Sequence, residues 1–479
     1  MKGLLALCLG ITSCAQIPRE LLATAASGSH VRFFLQFASP MRVLDTVEVT
    51  RYATPDAKAQ DLVRRLQQFS VDTLSELEEE MLCLSKAGSI RSINRYYISN
   101  TVAVVGDLRA LRSLAGFARV QEVVSNHVEP AKKSMSFGPI KTIKWDIRSV
   151  NTKLDSVITG RAKYMQSDLR YGNADSGVRF THPALVNNYA GNMGNESIDH
   201  NYSWFDGIRE GNDLMCPLRS PEPCDDSDHG TATMSMAVGQ NTVGMMPGAK
   251  WMACRNMDLL KGNTESYLRC LQFFLAPTDL QGNHPRPELR PHVLGNSYAC
   301  TEEEKCYRKL FEAAVRALHL VDIFFVSATS KSGARGCNSI NHPPAVSQYS
   351  FNVAGGDLLA RASYSSLGLA PNCNYAIDIT APSTNVVGAK AQNGYGLLTG
   401  TSAACPIAAG AALILMHECL RLRRNPQAVK DALIQTAIPL FSKLSCGNDT
   451  PNSLPNNEFG FGVINLTSAI THCKATQHV

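Results

Sequence analysis

The 479-residue chain contains no Cys-x-x-Cys pair, so zinc knuckles have no support in its cysteine spacing. It has no long block of lysine and arginine, and its net charge is only +5. A nucleic-acid partner is therefore not indicated. The apolar runs near the N-terminus and after residue 402 are too short or too interrupted for the ~20 residues of a membrane span. No repeat of fixed period is visible. Charged residues make up 18% and hydrophobic residues 44%, which excludes global disorder and leaves room for a sizeable core. The length suits two or three domains.

The first residues, "MKGLLALCLGITSCAQ", place one lysine before an apolar run and small residues at Ser13 and Ala15. This predicts a secretory signal peptide over 1–15. The same stretch also reads as a buried N-terminal helix or, through "ITSC", as a lipid box at Cys14. Of 15 cysteines, 12 run from Cys216 to Cys473. An even number behind a signal peptide fits disulfides formed in an oxidising compartment. Cys216/Cys224 and Cys300/Cys306 are close enough for local bridges. Asn-x-Ser/Thr triplets at Asn195, Asn201, Asn448 and Asn465 are candidate glycan sites in a secreted chain. The expected location is extracellular.

Composition and periodicity divide the rest. "VRFFLQFA" (31–38) predicts a strand, and the apolar spacing from Leu62 to Met81 one or two amphipathic helices. "YYISNTVAVVG" (96–106) predicts a strand, "DLRALRSLAGF" a helix and "VQEVVSNHVEP" a last strand. Together they predict a small α+β unit ending near Pro130. The basic, Gly/Pro-bearing "AKKSMSFGP" (131–139) reads as an exposed, cleavable linker. Beyond it, "AKWMACRNM", "SYLRCLQFFL", "HVLGNSY", "KLFEAAVRALHL" and "VDIFFVSA" alternate strand and helix, the pattern of a parallel sheet with crossover helices.

Residues 400–406 read "GTSAACP". A serine hydroxyl becomes a nucleophile only with a base in reach and a group that orients the base. His229 in "SDHGTATMSMAVG" stands at the entry of an apolar helical run. Asp175 in "NADSGVRFTHPAL" precedes a Ser-Gly turn. The chain order Asp, His, Ser is that of the subtilisins. With "GFGVINLTSAI" (460–470), these blocks resemble the subtilisin-like serine proteases over about 165–470.

The resemblance implies a doubly wound α/β fold with a mostly parallel sheet, preceded by a small α+β, ferredoxin-like prodomain. It implies an endopeptidase in which Ser402 attacks the scissile carbonyl, His229 moves the proton and Asp175 orients the imidazole. The expected domains are 1–15 signal peptide, 16–135 inhibitory prodomain and 136–479 catalytic domain, with self-cleavage within 129–137. Polypeptides would be the substrates, the prodomain an intramolecular inhibitor, and the protein a monomer needing no cofactor. Pro406 fits the first turn of the helix after Ser402.

The sequence departs from the family at several points. The usual Gly-Asn pair with the oxyanion-binding amide is replaced by Thr329-Ser330, so Ser330 is the expected side-chain donor; a shift of one residue would put Lys331 there. Ser297, Tyr298 and Ala299 take the place of a segment that lines the substrate pocket. Ser383 stands where glycine is common, and Asn173 replaces an apolar residue before Asp175. The acidic "CDDSDHG" suggests calcium, yet Asp225, Asp226 and Asp228 fall short of the six or more oxygens a hard cation takes; a solvated loop is the expectation, and no metal ligand is assigned. A pseudoprotease that binds peptides without cutting is the rival reading. A GxSxG hydrolase is disfavoured, because Ala404 stands two residues after Ser402.

Overall fold

The computed structural model describes residues 15–128, 167–211, 215–241, 243–357, 360–369 and 376–476. The expected signal peptide, except Ala15, and the whole expected cleavage segment 129–137 lie outside the described residues.

Residues 15–128 form a four-stranded antiparallel sheet: β1 (Val31–Gln36), β2 (Ile90–Tyr96), β3 (Thr101–Gly106) and β4 (Glu122–Ser125), in the order β2-β3-β1-β4. Side chains alternate across a strand, and β1 uses both faces. Phe33 and Leu35 pack with Leu77, Met81, Leu84, Leu111 and Leu114. Phe34 turns the other way, into a core shared with Leu271, Phe274 and Phe311 of the second unit. The long helix Pro55–Leu74 starts where Thr54 accepts the Ala57 amide and Pro55 fixes the first turn.

The structure divides the expected 96–106 strand in two. Tyr97–Asn100 turns, with Asn100 at φ 51°, and a further strand, β2, precedes it. Only Ile90 and Tyr96 of β2 are buried. An edge strand keeps one side to solvent, so its apolar signal is weak. The helices Arg19–Ala26 and Met41–Val49 were also not expected.

The second unit is built on a seven-stranded, all-parallel sheet. After β5 (Arg170–Asp175) come a short hairpin of β6 (Asn192–Gly194) and β7 (Ser197–Ile198), then β8 (Trp204–Asp206), β9 (Lys250–Arg255), β10 (Val293–Asn296), β11 (Phe324–Ala328), β12 (Phe351–Gly355) and β13 (Ile379–Ala381). The order is β13-β12-β11-β10-β5-β9-β8. A separate antiparallel pair, β14 (Val386–Ala389) and β15 (Tyr395–Leu398), leads into the helix Thr401–Glu418.

Helices cover both faces, as buried parallel strands require. His229–Val238 and Thr401–Glu418 lie in the core on one side, and Thr264–Leu275 and Arg308–Leu320 in that on the other. Thr401–Glu418 is apolar and long enough to span a membrane by composition alone, but 89% of that window is buried inside the protein. The chain lays down β8 and β9 on one side of β5 and then β10 on the other. The crevice at the carboxyl ends of β5 and β10 is thus a topological switch point, where open α/β sheets bind ligands.

Among the described residues, five disulfides join cysteines of the second unit: Cys216–Cys224, Cys254–Cys270, Cys300–Cys306, Cys337–Cys446 and Cys419–Cys473. The two local bridges read from the sequence are among them. Cys405 is a buried free thiol whose pKa burial pushes up to about 12.

Candidate active site

Asp175 is the last residue of β5 and is fully buried. Its Oδ1 accepts the Ser176 amide at 2.7 Å and pairs with His229 Nδ1, also at 2.7 Å. Nδ1 therefore carries the proton, and Nε2 is left to act as a base. The other carboxylate oxygen accepts Thr233 Oγ1 at 3.0 Å. Thr233 follows His229 by four residues, one helical turn, so both reach the same side. Asn173 explains its own departure from an apolar residue: its amide donates to the Gly230 carbonyl at 3.2 Å and to Thr233 Oγ1 at 3.1 Å. It ties β5 to the first turn of the histidine helix. Gly230 is required there by close approach, since a β-carbon would strike the Gly177 carbonyl.

Behind this pair lies a second buried layer. Asp225 accepts Ser176 Oγ at 2.8 Å and the Thr231 amide at 2.8 Å, and also bonds Thr231 Oγ1. Asp226 pairs with Arg255 through Nε and Nη2, and Arg255 also meets Asp206 and Asp258. The expected solvated loop is thus corrected: Asp225 and Asp226 are buried and engaged. One guanidinium among several carboxylates does not neutralise them all. Burial raises the Asp225 pKa to about 6, and burial together with neighbouring carboxylates raises that of Asp226. Among the described residues, no group of three or more His, Cys, Asp or Glu side chains is arranged to hold a metal ion.

Ser402 is the second residue of the helix Thr401–Glu418, whose first amides have no intrahelical partner. Pro406 stands four residues on, inside the helix rather than in its first turn. It lacks the N–H that would bond the Ser402 carbonyl, and Ser297 Oγ donates to that carbonyl instead, at 3.2 Å. In return Ser402 Oγ donates to the Ser297 carbonyl at 3.1 Å. Ser383, the other departure, accepts the Gly400 amide on its carbonyl at 2.8 Å and meets Tyr364 through its hydroxyl.

These residues share one cleft of about 280 Å³. His229 and Ser402 line it, with Ser297, Tyr298 and Ala299 after β10, and Ser330 and Lys331 after β11. Tyr298 is held flat against Tyr267, ring centroids 4.6 Å apart, and burial raises its pKa. The structure therefore gathers the sequence-predicted residues at one crevice, with Asp175 one bond behind. Sequence reasoning missed Thr233 and Arg255 and placed Asp225 in a solvated loop. The fourfold spacing of His229 and Thr233 was an available signal; the contacts of Arg255 were not visible in order of sequence.

Residues 172–462 match the family described as the subtilase family, Peptidase S8. Bacillopeptidase F of Bacillus subtilis is 27% identical over 88% of this chain, which spans 29% of that protein. Subtilisin-like protease 1 of Plasmodium vivax is 29% identical over 50% of the chain and 39% of its own length. The chain thus spans well under half of these relatives. The epidermin leader peptide processing serine protease of Staphylococcus aureus superposes with a TM-score of 0.60 at 13% identity, covering 92% of this chain and 98% of that one; the likeness is one of fold.

Proposed function

The chain belongs to the subtilase family, and we propose that it is a secreted serine endopeptidase made as a self-processed zymogen. The observation that carries the reading is the 2.7 Å bond between Asp175 and His229 in the wall of the cleft that also holds Ser402. In this reading His229 Nε2 takes the Ser402 proton as Oγ bonds to the scissile carbonyl carbon, and the acyl-enzyme is then released by water. The Ser402 amide and the dipole at the start of its helix favour the oxyanion, whereas the Ala403 amide bonds the Gly400 carbonyl at 2.9 Å. Ser297–Ala299 would border the bound peptide.

Residues 16–135 would be the prodomain and 136–479 the catalytic domain, with 1–15 removed as the protein is secreted. The shared core beneath Phe34 and the five disulfides support this assignment. A second reading, a peptide-binding protein that does not cut, draws on one observation: the Ser402 hydroxyl is bonded to Ser297 rather than to His229. Catalytic hydrogen bonds often tighten only around substrate, so the endopeptidase reading stands. Hydrolysis of denatured casein by the secreted protein, lost in Ser402→Ala, is the expected result. No hydrolysis by secreted protein freed of residues 16–135 would favour the second reading.

A further inference from the structure

Among the described residues, Lys331 is the one lysine or arginine lining the Ser402 cleft, and no carboxylate lines it. It leaves the carboxyl end of β11 by way of Thr329 and Ser330. Ser330 has φ 79°, a left-handed backbone that glycine accepts most readily. This turn carries the Lys331 side chain across Gly400, the residue before the Ser402 helix. A β-carbon on Gly400 would collide with Lys331 Cε and lie 2.6 Å from Nζ. The ammonium end thus lies against Gly400, two residues from the nucleophile and beside the start of its helix.

From this juxtaposition we propose that Lys331, rather than Ser330, donates the side-chain hydrogen bond to the oxyanion formed when Ser402 attacks. The proposal rests on the endopeptidase reading above. As Oγ bonds to the carbonyl carbon and its proton passes to His229, the carbonyl π pair moves to the oxygen. The Lys331 ammonium hydrogen-bonds that oxygen and keeps its own proton; when the amine leaves, the pair returns to the carbonyl. A charged donor makes a hydrogen bond roughly twice as strong as a neutral one, but a lysine stem is more mobile than a short amide. Contact with Gly400 limits that mobility. Burial of the ammonium end lowers its pKa from the ordinary lysine value, although the residue as a whole is exposed.

The test uses the full secreted protein with a fluorogenic peptide that it cleaves, and the aldehyde of the same peptide, which forms a tetrahedral adduct on serine. Lys331→Met should lower kcat about 10²-fold, the scale known from removal of such a donor in subtilisin itself. KM should stay within about threefold, and aldehyde binding should weaken in step with kcat. Lys331→Asn should recover most of the loss, and Ser330→Gly should lose far less than Lys331→Met. The wild-type kcat should decline at alkaline pH as Lys331 loses its proton, a limb absent from Lys331→Asn. Lys331→Met with unchanged kcat and aldehyde binding would overturn the proposal. So would an effect confined to KM for peptides with acidic side chains, or a larger loss in Ser330→Gly. A wild-type protein that neither turns over peptide nor reacts with a fluorophosphonate would instead overturn the hydrolytic reading, and this inference with it.

Discussion

Asp175 grips His229 and Thr233 with separate oxygens, Nδ1 at 2.7 Å on Oδ1 and Oγ1 at 3.0 Å on Oδ2. The carboxylate is thereby fixed in the plane that presents the imidazole to the cleft. Asp175→Asn should leave the fold intact and reduce kcat about 10⁴-fold, because an amide no longer enforces the right tautomer. Thr233→Val removes the hydrogen bond to the Asp175 carboxylate, about 1.5 kcal/mol, and the one accepted from Asn173, and should cost at least about tenfold in kcat. Steady-state kinetics on one peptide, with circular dichroism as the folding control, checks both. Equal losses in the two variants would contradict this division of roles.

Much of the site was legible because Asp175, His229 and Ser402 each sit in a short stretch whose neighbours are as telling as the residue itself. The strand-helix alternation from β9 to β11 was equally plain, since buried parallel strands are nearly continuous apolar runs. Burial of the acidic loop was not legible: "CDDSDHG" looks solvated until Arg255, almost thirty residues on, is seen to neutralise part of it. The polar edge strand β2 hid for the opposite reason, having too little apolar periodicity to read.

Glu265 gathers the contacts between the two units. Its carboxylate accepts Asn94 and Asn126 side chains at 2.8 and 2.9 Å, the Tyr96 hydroxyl at 2.8 Å, and Arg269. Arg316 also bridges the units, to Asp45 and Glu48, but those carboxylates are 61% and 53% exposed. Arg316 itself is buried, but pairs whose carboxylates stay in water contribute about 0–1 kcal/mol, whereas losing an acceptor shared by buried donors costs more. In a Ser402→Ala background, Glu265→Ala should therefore weaken binding of a separately added 16–135 fragment at least tenfold. Arg316→Ala should change it by no more than about fivefold. Calorimetric titration against the purified second unit decides, and the reverse order would contradict the account.

The acidic layer predicts a pH dependence. Asp225 has a folded pKa raised to about 6 by burial, above the roughly 3.9 of an unfolded aspartate. The folded state therefore binds the proton more tightly. Its contribution is fully present below the unfolded pKa and is lost as pH rises through about 6. The melting temperature of wild type minus that of Asp225→Asn should be larger at pH 5 than at pH 8, with Ser402→Ala in both chains to suppress self-digestion. A difference that grows toward alkaline pH would show that the donors from Ser176 and Thr231 outweigh burial.

The most direct test of the central claim is covalent labelling of the purified protein with a fluorophosphonate, followed by peptide mass mapping. The account predicts one label, on Ser402, abolished by Ser402→Ala and slowed severely by His229→Ala. A folded protein, freed of residues 16–135, that takes no label on Ser402 would contradict it.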